Sequence, residues 1–303
     1  MSKRRAREPQ TDARFRCGQV AVVGRPNVGK STLVNSLVGA RISITSRRPQ
    51  TTRHRVRGIL TTRAAQLVFV DTPGFQTAHR SALNERMNHS VRASLREVDA
   101  VVLVVEPSIR DEDRTVLALL PAKVPVVVAV NKVDRVADKE RLLPLIAEIA
   151  ALRDFAAIVP LSAEKGWQLD RLASELVKLM PEGPAVYADD DLTDRDERFL
   201  AAEYVREKIF RLLGEELPYA TAVVIDRFVH EGGLRRIHAT VIVNKASQRA
   251  ILLGAHGERM KEIATAARHD MERLFGGKVF LEVWVRVKSG WAEDEGALAR
   301  LGY

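Results

Sequence analysis

The hydrophobic residues of the first 180 positions follow two alternating patterns. Short runs rich in valine are typical of buried strands, and between them apolar residues recur every three or four positions, as in amphipathic helices. This alternation predicts βαβ units and a mainly parallel sheet in an α/β domain. The predicted strands cover residues 20–23, 67–70, 124–130 and 158–161; one helix runs toward Gly39, and others cover 83–98, 111–120, 140–152 and 169–180.

The pattern changes after residue 181. The next residues, to 197, are rich in proline and acidic side chains and lack apolar periodicity, which indicates a linker ending at a helix N-cap, Thr193 or Asp194. We therefore expect a first domain over 17–181, a linker over 182–197 and a smaller α+β domain over 198–303 with a C-terminal helix. Within the smaller domain the prediction is helix 195–213, strands 219–229 and 235–244, helices 248–253 and 258–275, and strand 279–287.

Composition agrees with two globular domains. The chain has 303 residues, 46% of them hydrophobic, and no apolar run approaches the roughly twenty residues of a membrane span. Residues 1–16 carry six basic and two acidic side chains with no apolar segment behind them, so we expect a disordered basic tail and not a secretory signal. The single cysteine, Cys17, excludes an internal disulfide and suits a reducing cytoplasm.

The motif GRPNVGKS, residues 24–31, follows the first predicted strand and opens a helix. In that setting backbone amides and a helix N-terminus converge on a phosphate. Gly24 and Gly29 allow the loop to wrap the phosphate without Cβ clashes. We expect Lys30 to reach the β- and γ-phosphates and the hydroxyl of Ser31 to ligate Mg²⁺. The alternative is an ordinary glycine-rich turn.

Two further motifs follow apolar strands. Asp71 of DTPG can hold the metal through a water, and Gly74 can offer its amide to the γ-phosphate. In NKVD, residues 131–134, the carboxylate of Asp134 can accept two hydrogen bonds from guanine N1 and N2, a donor pair that adenine lacks. Asn131 would tie this loop to the base and to the phosphate loop, and the stem of Lys132 can lie against the ring. The sequence therefore favours GTP over ATP. Ser162 and Ala163 are expected to place a backbone amide near the guanine oxygen.

The predicted hydrolytic site lacks one familiar group. Phe75 stands where Ras-like enzymes place a water-orienting glutamine, so slow intrinsic hydrolysis is expected. Asn27 could hold a potassium ion against the phosphates, as in some other GTPases, or it could only cap the turn. The metal-binding threonine of the mobile loop is Thr51 or Thr52, and we favour Thr52. Around these threonines, residues 41–63 contain seven arginines and no acidic residue, which predicts a nucleotide-dependent basic surface for an anionic partner such as RNA.

In the second domain, a glycine-edged turn lies between two predicted helices. Gly254, Ala255, His256 and Gly257 form the GxxG pattern by which KH domains clamp a single-stranded backbone, and the helix-first order is that of the type II KH fold. With Ala255 and His256 as its two middle residues, the loop is less basic than is usual for the GxxG loops of such domains. The charge could come instead from Lys245, Arg249, Arg259 and Lys261, or these could be ordinary solvated side chains.

From about residue 17 to Tyr303 the chain resembles the bacterial Era family of GTPases. The strings that carry the resemblance are GRPNVGKSTLVN, SITSRRPQTTRHR, DTPGF, VNKVD, PLSAEKG, TDRDERFLAAEYVREKI, ELPYATAV and VKSGWAEDEGALARLGY. The resemblance implies a GTP-driven RNA-binding switch that binds the 3′ end of 16S rRNA and acts on the maturing 30S subunit. It also implies a monomer in the cytoplasm, with peripheral association at the inner face of the cell membrane as a further property.

Two other functions stay open, a GTPase supporting RNA modification and a passive RNA adaptor with a structural nucleotide site. The residues expected to act in hydrolysis are Asn27, Lys30, Thr52, Asp71 and Gly74, and those expected to ligate Mg²⁺ are Ser31, Thr52 and Asp71. The expected nucleotide contacts are Gly24, Arg25, Pro26, Asn27, Val28, Gly29, Lys30, Ser31, Thr32, Asp71, Thr72, Pro73, Gly74, Phe75, Asn131, Lys132, Val133, Asp134, Ser162 and Ala163. The expected RNA contacts are Arg249, Gly254, Ala255, His256, Gly257, Arg259 and Lys261.

Overall fold

The computed structural model describes residues 15–46, 48, 51–75, 82–214, 217–291 and 293–300, which form two sheet-based units and the segments that connect them. The expected tail at residues 1–14 lies outside the described residues. The first unit contains β1 (Arg16–Val23), α1 (Lys30–Val38), β2 (Val56–Thr61), β3 (Ala65–Asp71), α2 (Ala82–Ser94), β4 (Ala100–Val105), α3 (Asp111–Ala118), β5 (Val126–Val130), α4 (Leu142–Ala150), β6 (Ala157–Pro160) and α5 (Leu169–Leu179).

The first sheet has the strand order β2-β3-β1-β4-β5-β6. Every neighbouring pair is parallel except β2 and β3, which are antiparallel, so the predicted mainly parallel sheet is confirmed. Strands β3, β4 and β5 are wholly buried because helices cover both faces of the sheet. The carboxyl ends of β1, β3, β4 and β5 lie at one edge, which is where an open α/β sheet binds its ligand.

The second unit begins with a helix, as predicted. It contains α6 (Glu197–Leu212), β7 (Thr221–Glu231), β8 (Leu234–Val243), α7 (Ala246–Leu253), α8 (Glu258–Phe275), β9 (Lys278–Val287) and α9 (Glu295–Arg300). The sheet order is β7-β8-β9, with β7 antiparallel and β9 parallel to β8. Helices α6 and α8 pack on one face and form a core around Val205, Ile237 and Ile263. This is the predicted smaller α+β unit.

Several predicted boundaries shift. Arg16, expected in the tail, is the first residue of β1, and α2 ends at Ser94 instead of continuing to 98. The predicted N-cap at Thr193 or Asp194 is wrong. Asp196 caps α6, because its carboxylate accepts a hydrogen bond from the Phe199 amide at 2.7 Å.

The expected linker is bound to the first sheet. The side chain of Gln66 is fully buried, donates to the carbonyl of Tyr187 and accepts from the amides of Val186 and Tyr187. Further along, the Ile59 amide of the edge strand β2 donates to the carbonyl of Leu192 at 3.0 Å. The segment therefore covers the otherwise open edge of the sheet.

The two units pack directly against each other. Leu83 and Met87 of α2 form a small buried cluster with Ala222 of β7 and with Trp291 and Leu298 near the C-terminus. Helix α2 follows the DTPG loop, so this cluster connects the neighbourhood of that loop with the second sheet. In the described residues, we find no helix with the length and hydropathy that crossing a lipid bilayer requires.

Candidate functional site

The loop between β1 and α1 requires glycine at two positions. Gly24 has φ 152°, and a Cβ there would lie 2.4 Å from the carbonyl oxygen of Val104. Gly29 has φ 101°, and its Cβ would lie 2.3 Å from the side-chain nitrogen of Asn131. Both contacts are shorter than real Cβ contacts, so neither position admits another residue without rearrangement. The loop is thereby held close to β4 and to the NKVD loop.

Lys30 is the first residue of α1 and is buried beneath the loop. Its Nζ donates to the carbonyls of Gly24 and Arg25, each at 2.9 Å. Burial lowers the pKa of Lys30 to about 8, although the nearby carboxylate of Asp71 opposes the change. An ammonium group has three N–H bonds, so the two carbonyls leave one for a phosphate oxygen.

Oxygen atoms suited to a hard cation meet beside Lys30. The hydroxyls of Ser31 and Thr52 lie 2.7 Å apart. Asp71 is fully buried, and neither of its carboxylate oxygens has a hydrogen-bond partner of ordinary geometry among the described residues. Burial raises the pKa of Asp71, while the Ser31 hydroxyl and Lys30 oppose that rise. A buried acid with no hydrogen-bond partner of ordinary geometry among the described residues, next to two hydroxyls, fits Mg²⁺ held by Ser31 and Thr52 with Asp71 behind a water.

The other threonine of the pair has different partners. The hydroxyl of Thr51 donates to the Arg48 carbonyl at 2.8 Å and lies 2.6 Å from the Ser46 hydroxyl. Thr51 therefore stabilises the loop, and Thr52 is the one whose hydroxyl lies beside Ser31. The geometry supports the choice of Thr52 over Thr51 as the metal ligand.

Asn131 joins three loops through one buried side chain. Its amide nitrogen donates to the Val28 carbonyl in the phosphate loop at 2.9 Å. Its amide oxygen accepts from the backbone amide of Ala163 at 2.9 Å. The predicted tie between the NKVD loop and the phosphate loop is therefore present in the structure, and it extends to the loop of Ser162 and Ala163.

Asp134 lies on the wall of the same site. One of its carboxylate oxygens is buried and, within the described residues, receives no hydrogen bond. The neighbouring Ser162 hydroxyl holds the pKa of Asp134 below its ordinary value, so the carboxylate is charged at neutral pH. A charged carboxylate that has one oxygen without a partner among the described residues is suited to the paired N1 and N2 donors of guanine.

These groups line one open cleft of about 1280 Å³. The predicted nucleotide residues on its wall are Pro26, Asn27, Gly29, Lys30, Ser31, Thr32, Thr52, Gly74, Asn131, Lys132, Asp134 and Ser162. The other predicted nucleotide residues are not among those that line the cleft: Gly24, Arg25, Val28, Asp71, Thr72, Pro73, Phe75, Val133 and Ala163. The Phe75 ring faces Val91 and Leu95 of α2 and packs on a hydrophobic cluster outside the cleft.

The second unit also contributes to the cleft, which the sequence did not predict. Phe210 and Arg211 of α6 line it, and the Arg211 guanidinium donates to the hydroxyl of Thr45 at 3.0 Å. Neither residue belongs to a nucleotide-binding motif. Only the packing of the two units brings them there, so no local sequence pattern could have identified them.

The predicted basic surface of residues 41–63 is largely an interface. Arg41 binds Glu207 and Asp270, and Arg57 binds Asp194 at 2.9 Å. Arg53 is buried and donates to backbone carbonyls of the second unit, among them that of Thr221 at 2.8 Å. For these three arginines the predicted open surface is wrong, because carboxylates from beyond residue 193 pair with Arg41 and Arg57 and backbone carbonyls accept the hydrogen bonds of Arg53. A fourth arginine, Arg47, lies outside the described residues.

The GxxG turn is formed as predicted between α7 and α8. Gly254 has φ 71° and ψ −175°, and a Cβ there would approach that of Arg259 to 2.8 Å. Gly257 has φ 79° and caps α8, while His256 between them has φ 50°. Exposed side chains surround the turn: Lys245, Arg249, Ala255, His256, Arg259 and Lys261.

Fold and loops together define a P-loop GTPase followed by a KH domain. Family models agree: one described as a 50S ribosome-binding GTPase matches residues 19–132, and one described as a KH domain matches residues 216–292. The GTPase Era of Nitrosomonas eutropha is 52% identical over 290 residues, which cover 95% of this chain and 98% of that protein. The GTPase Era of Xanthomonas oryzae pv. oryzae is 54% identical over 295 residues, with 97% and 99% covered.

Solved structures agree with these relatives. The crystal structure of an Aquifex aeolicus Era variant bound to GDP and AlF4⁻ matches with a TM-score of 0.92 and 36% identity, covering 95% of this chain and 99% of that one. A structure of Era with MgGDPNP and nucleotides 1506–1542 of 16S ribosomal RNA matches with the same TM-score, identity and coverage. The chain belongs to the Era family of GTPases.

Proposed function

We propose that this GTPase uses its nucleotide state to control binding of the 3′ end of 16S rRNA during assembly of the 30S subunit. The observation that carries the proposal is the match, along 95% of the chain, to an Era structure bound to MgGDPNP and nucleotides 1506–1542 of 16S rRNA. Two features of this chain support it. The GxxG turn is exposed at the surface, and α6 of the KH domain contributes Phe210 and Arg211 to the nucleotide cleft.

In the proposed reaction Ser31 and Thr52 hold Mg²⁺, and Asp71 accepts a hydrogen bond from a metal-bound water. The ion neutralises charge on the β- and γ-phosphates. Lys30 donates its remaining N–H to the phosphates, and the Gly74 amide is available to the γ-phosphate. Asp134 and Asn131 select and fix guanine. Since the Phe75 side chain has no polar group to orient water, the intrinsic rate is slow.

Asn27 is the proposed site of a potassium ion. Its backbone is left-handed, with φ 65°, and its side chain is exposed on the cleft wall. GTP hydrolysis should then be faster in potassium than in sodium at equal ionic strength, and Asn27→Ala should remove the difference. Equal rates of the parent protein in the two salts would leave Asn27 with a structural role in the turn.

The central test of the RNA proposal uses an oligonucleotide with the 3′-terminal sequence of 16S rRNA and a second one of the same composition in scrambled order. Affinity for each is measured with GDP and with a non-hydrolysable GTP analogue. We expect tighter binding of the native sequence and a difference between the two nucleotide states. The logarithm of the affinity should fall with the logarithm of salt concentration by about 0.7 per neutralised phosphate. Equal binding of both sequences in both states would refute the proposal.

The remaining predictions concern organisation and location. We propose domain limits of 17–181 and 198–303 with a linker at 182–197, the linker being attached to the first domain through Gln66. We also propose a cytoplasmic monomer, because its rRNA partner is cytoplasmic. Sedimentation tests the oligomeric state, and flotation with anionic lipid vesicles tests peripheral membrane association.

A further inference from the structure

The loop that follows β4 begins with an acidic residue, Glu106, which belongs to none of the three nucleotide motifs. Its carboxylate accepts a hydrogen bond from Nζ of Lys132 in the NKVD loop at 2.5 Å. The other carboxylate oxygen pairs with the guanidinium of Arg25 in the phosphate loop. One carboxylate therefore bridges the loop that faces the base and the loop that faces the phosphates.

Arg25 is held on its other side as well. Its Nε donates to Asp113 of α3 at 3.3 Å, and the Asp113 carboxylate also accepts the Arg110 amide at 3.1 Å. The guanidinium thus lies between two carboxylates from different elements, and its side chain is only 10% exposed. A planar group fixed on two sides cannot rotate away from Glu106, so the phosphate loop has a fixed attachment to α3 and to the loop after β4.

Lys132 is fixed in a similar way. Its Nζ donates to the Asn27 carbonyl at 2.6 Å as well as to Glu106. Lys132 and Asn27 both have left-handed backbones, with φ 66° and 65°, a conformation that is unfavourable for a lysine and less so for an asparagine. Such conformations persist where neighbouring contacts impose them. The bridge from Glu106 through Lys132 to Asn27 is one such contact.

The bridge differs from an ordinary surface ion pair. The side chains of Glu106 and Lys132 are each 21% exposed, so solvent screens them less than it screens a fully exposed pair. Burial alone would raise the pKa of Glu106, but the hydrogen bonds from Lys132 and Arg25 hold it below its ordinary value. The carboxylate is therefore charged wherever the protein is folded near neutral pH.

We propose that Glu106 is a positioning residue of the nucleotide site, which holds Lys132 of the guanine loop and Arg25 of the phosphate loop in one rigid unit. The stem of Lys132 is then ordered along the cleft wall before the nucleotide binds. Binding therefore costs less side-chain entropy. This inference rests on the nucleotide site proposed above. It predicts that losing Glu106 weakens nucleotide binding more than it slows the chemical step.

The test uses the full chain with Mg²⁺ and a fluorescent GDP analogue. Glu106→Gln should weaken GDP binding by about tenfold, which corresponds to about 1.4 kcal/mol and is close to the lower limit for a hydrogen bond to a charged group. In steady-state hydrolysis, KM for GTP should rise by a similar factor while kcat changes by less than about threefold. The matched control is Glu148→Gln, which removes a surface pair with Arg114 on the outer helices and should bind GDP as the parent does.

A double-mutant cycle shows whether Glu106 acts through Lys132. In the Lys132→Met background, Glu106→Gln should cost no more than about threefold, because one of its two contacts is already gone. A cost near tenfold in both backgrounds overturns the proposal. If Glu106→Gln does not fold, Glu106→Asp keeps the charge but is one methylene too short to reach both cations, and it should weaken GDP binding by about threefold.

The remaining outcomes are equally decisive. A GDP affinity within twofold of the parent for the folded Glu106 variant overturns the inference, even if the melting temperature of the nucleotide-free protein falls, because that pattern describes a structural role. If the parent chain itself does not bind GDP, the proposed nucleotide site fails, and the inference fails with it. If the parent binds and the variants match it, only the role of Glu106 is refuted.

Discussion

Arg41, just after α1 of the GTPase domain, binds both carboxylate oxygens of Glu207 in α6 of the KH domain, at 2.7 and 2.6 Å. The Glu207 side chain is fully buried, whereas that of Arg41 is 39% exposed. The same carboxylate accepts the backbone amide of Thr45 at 3.0 Å. A buried acid of one domain thus fixes the start of the segment that carries Thr52 in the other.

Removal of Arg41 should therefore destabilise the folded protein. In Arg41→Ala, Lys208 and Arg211 still face Glu207, and the Arg41 side chain of the parent is partly exposed. We therefore expect the free energy of unfolding to fall by about 1–3 kcal/mol, less than for a fully buried pair. Urea denaturation monitored by fluorescence measures the change. Arg63→Ala, at an exposed turn, is the control and should leave the midpoint in place. If Arg41→Ala unfolds at the parent's urea concentration, the ion pair contributes nothing to stability.

His54 should make folding stability depend on pH in a mildly acidic range. Burial between the two domains, against the Phe199 ring, lowers the pKa of His54 to about 4. In the unfolded chain its pKa is about 6.5. As pH falls, the unfolded state therefore binds a proton at His54 before the folded state does. The stability contributed by neutral His54 is complete above about pH 6.5 and is lost as pH falls toward 4.

The size of this effect is bounded by the shift of the pKa from 6.5 to about 4, which corresponds to at most about 3.4 kcal/mol. Unfolding free energies of the parent measured at intervals between pH 7 and 4 should fall more steeply than those of His54→Gln, whose side chain does not titrate. His256, in the exposed GxxG turn, supplies the control variant His256→Gln, which should follow the parent. Parallel curves for the parent and His54→Gln would show that the pKa of His54 is the same in the folded and unfolded states.

Local motifs and long-range contacts differ in how well the sequence predicts them. Gly24, Lys30 and Asn131 were predictable because their roles follow from a short motif beside an apolar strand. Strands β2 and β4 are both missing from the prediction. Arg57 and Gly58 interrupt the apolar residues of β2, and the apolar run of β4 comes directly after the predicted helix 83–98. The partners of Arg41, Glu207 and Asp270, lie 166 and 229 residues away, and no periodicity encodes such separations. The cap at Asp196 was missed because Thr193, Asp194 and Asp196 are all suitable residues, and packing decides among them.

Thr52 and Thr51 provide a matched pair for the metal site. Thr52→Ala should reduce magnesium-dependent GTP hydrolysis on the order of tenfold or more, since a ligand beside Ser31 is lost. Thr51→Ala removes only contacts to Arg48 and Ser46, so its kcat should stay within about threefold of the parent. Magnesium titrations of hydrolysis should show a weaker metal dependence for Thr52→Ala alone. The reverse order of effects would assign the metal ligand to Thr51.

Asp134 should determine base choice. Asp134→Asn replaces an acceptor for the guanine N1 and N2 donors, so GTP affinity should fall by roughly 2–3 kcal/mol, about a hundredfold. Xanthosine triphosphate, which has a carbonyl in place of the N2 donor, should bind the variant better than GTP does. Competition against a fluorescent GDP analogue measures both affinities. Arg135→Gln, which changes an exposed neighbour on the same loop, is the control for loop damage. Unchanged GTP affinity in Asp134→Asn would remove Asp134 from the base pocket.

The GxxG turn should be separable from the nucleotide site. Gly254→Asp places a Cβ against Arg259 and adds a negative charge, so it should abolish RNA binding but also disturbs the turn. Gly257→Asp is the cleaner variant, because its φ of 79° is one that Asp tolerates and no atom lies within 4 Å of the added Cβ. Its carboxylate would face the RNA phosphates that the turn is expected to clamp.

Gly276→Asp, with φ 65° and equally free space at the far end of α8, is matched in backbone strain but distant from the turn. We expect Gly257→Asp to weaken binding of a labelled 16S rRNA 3′-end oligonucleotide by at least about tenfold. The GDP affinities of Gly257→Asp and Gly276→Asp should both stay at the parent value. Equal RNA affinity in Gly257→Asp and Gly276→Asp would locate the RNA site elsewhere on the protein.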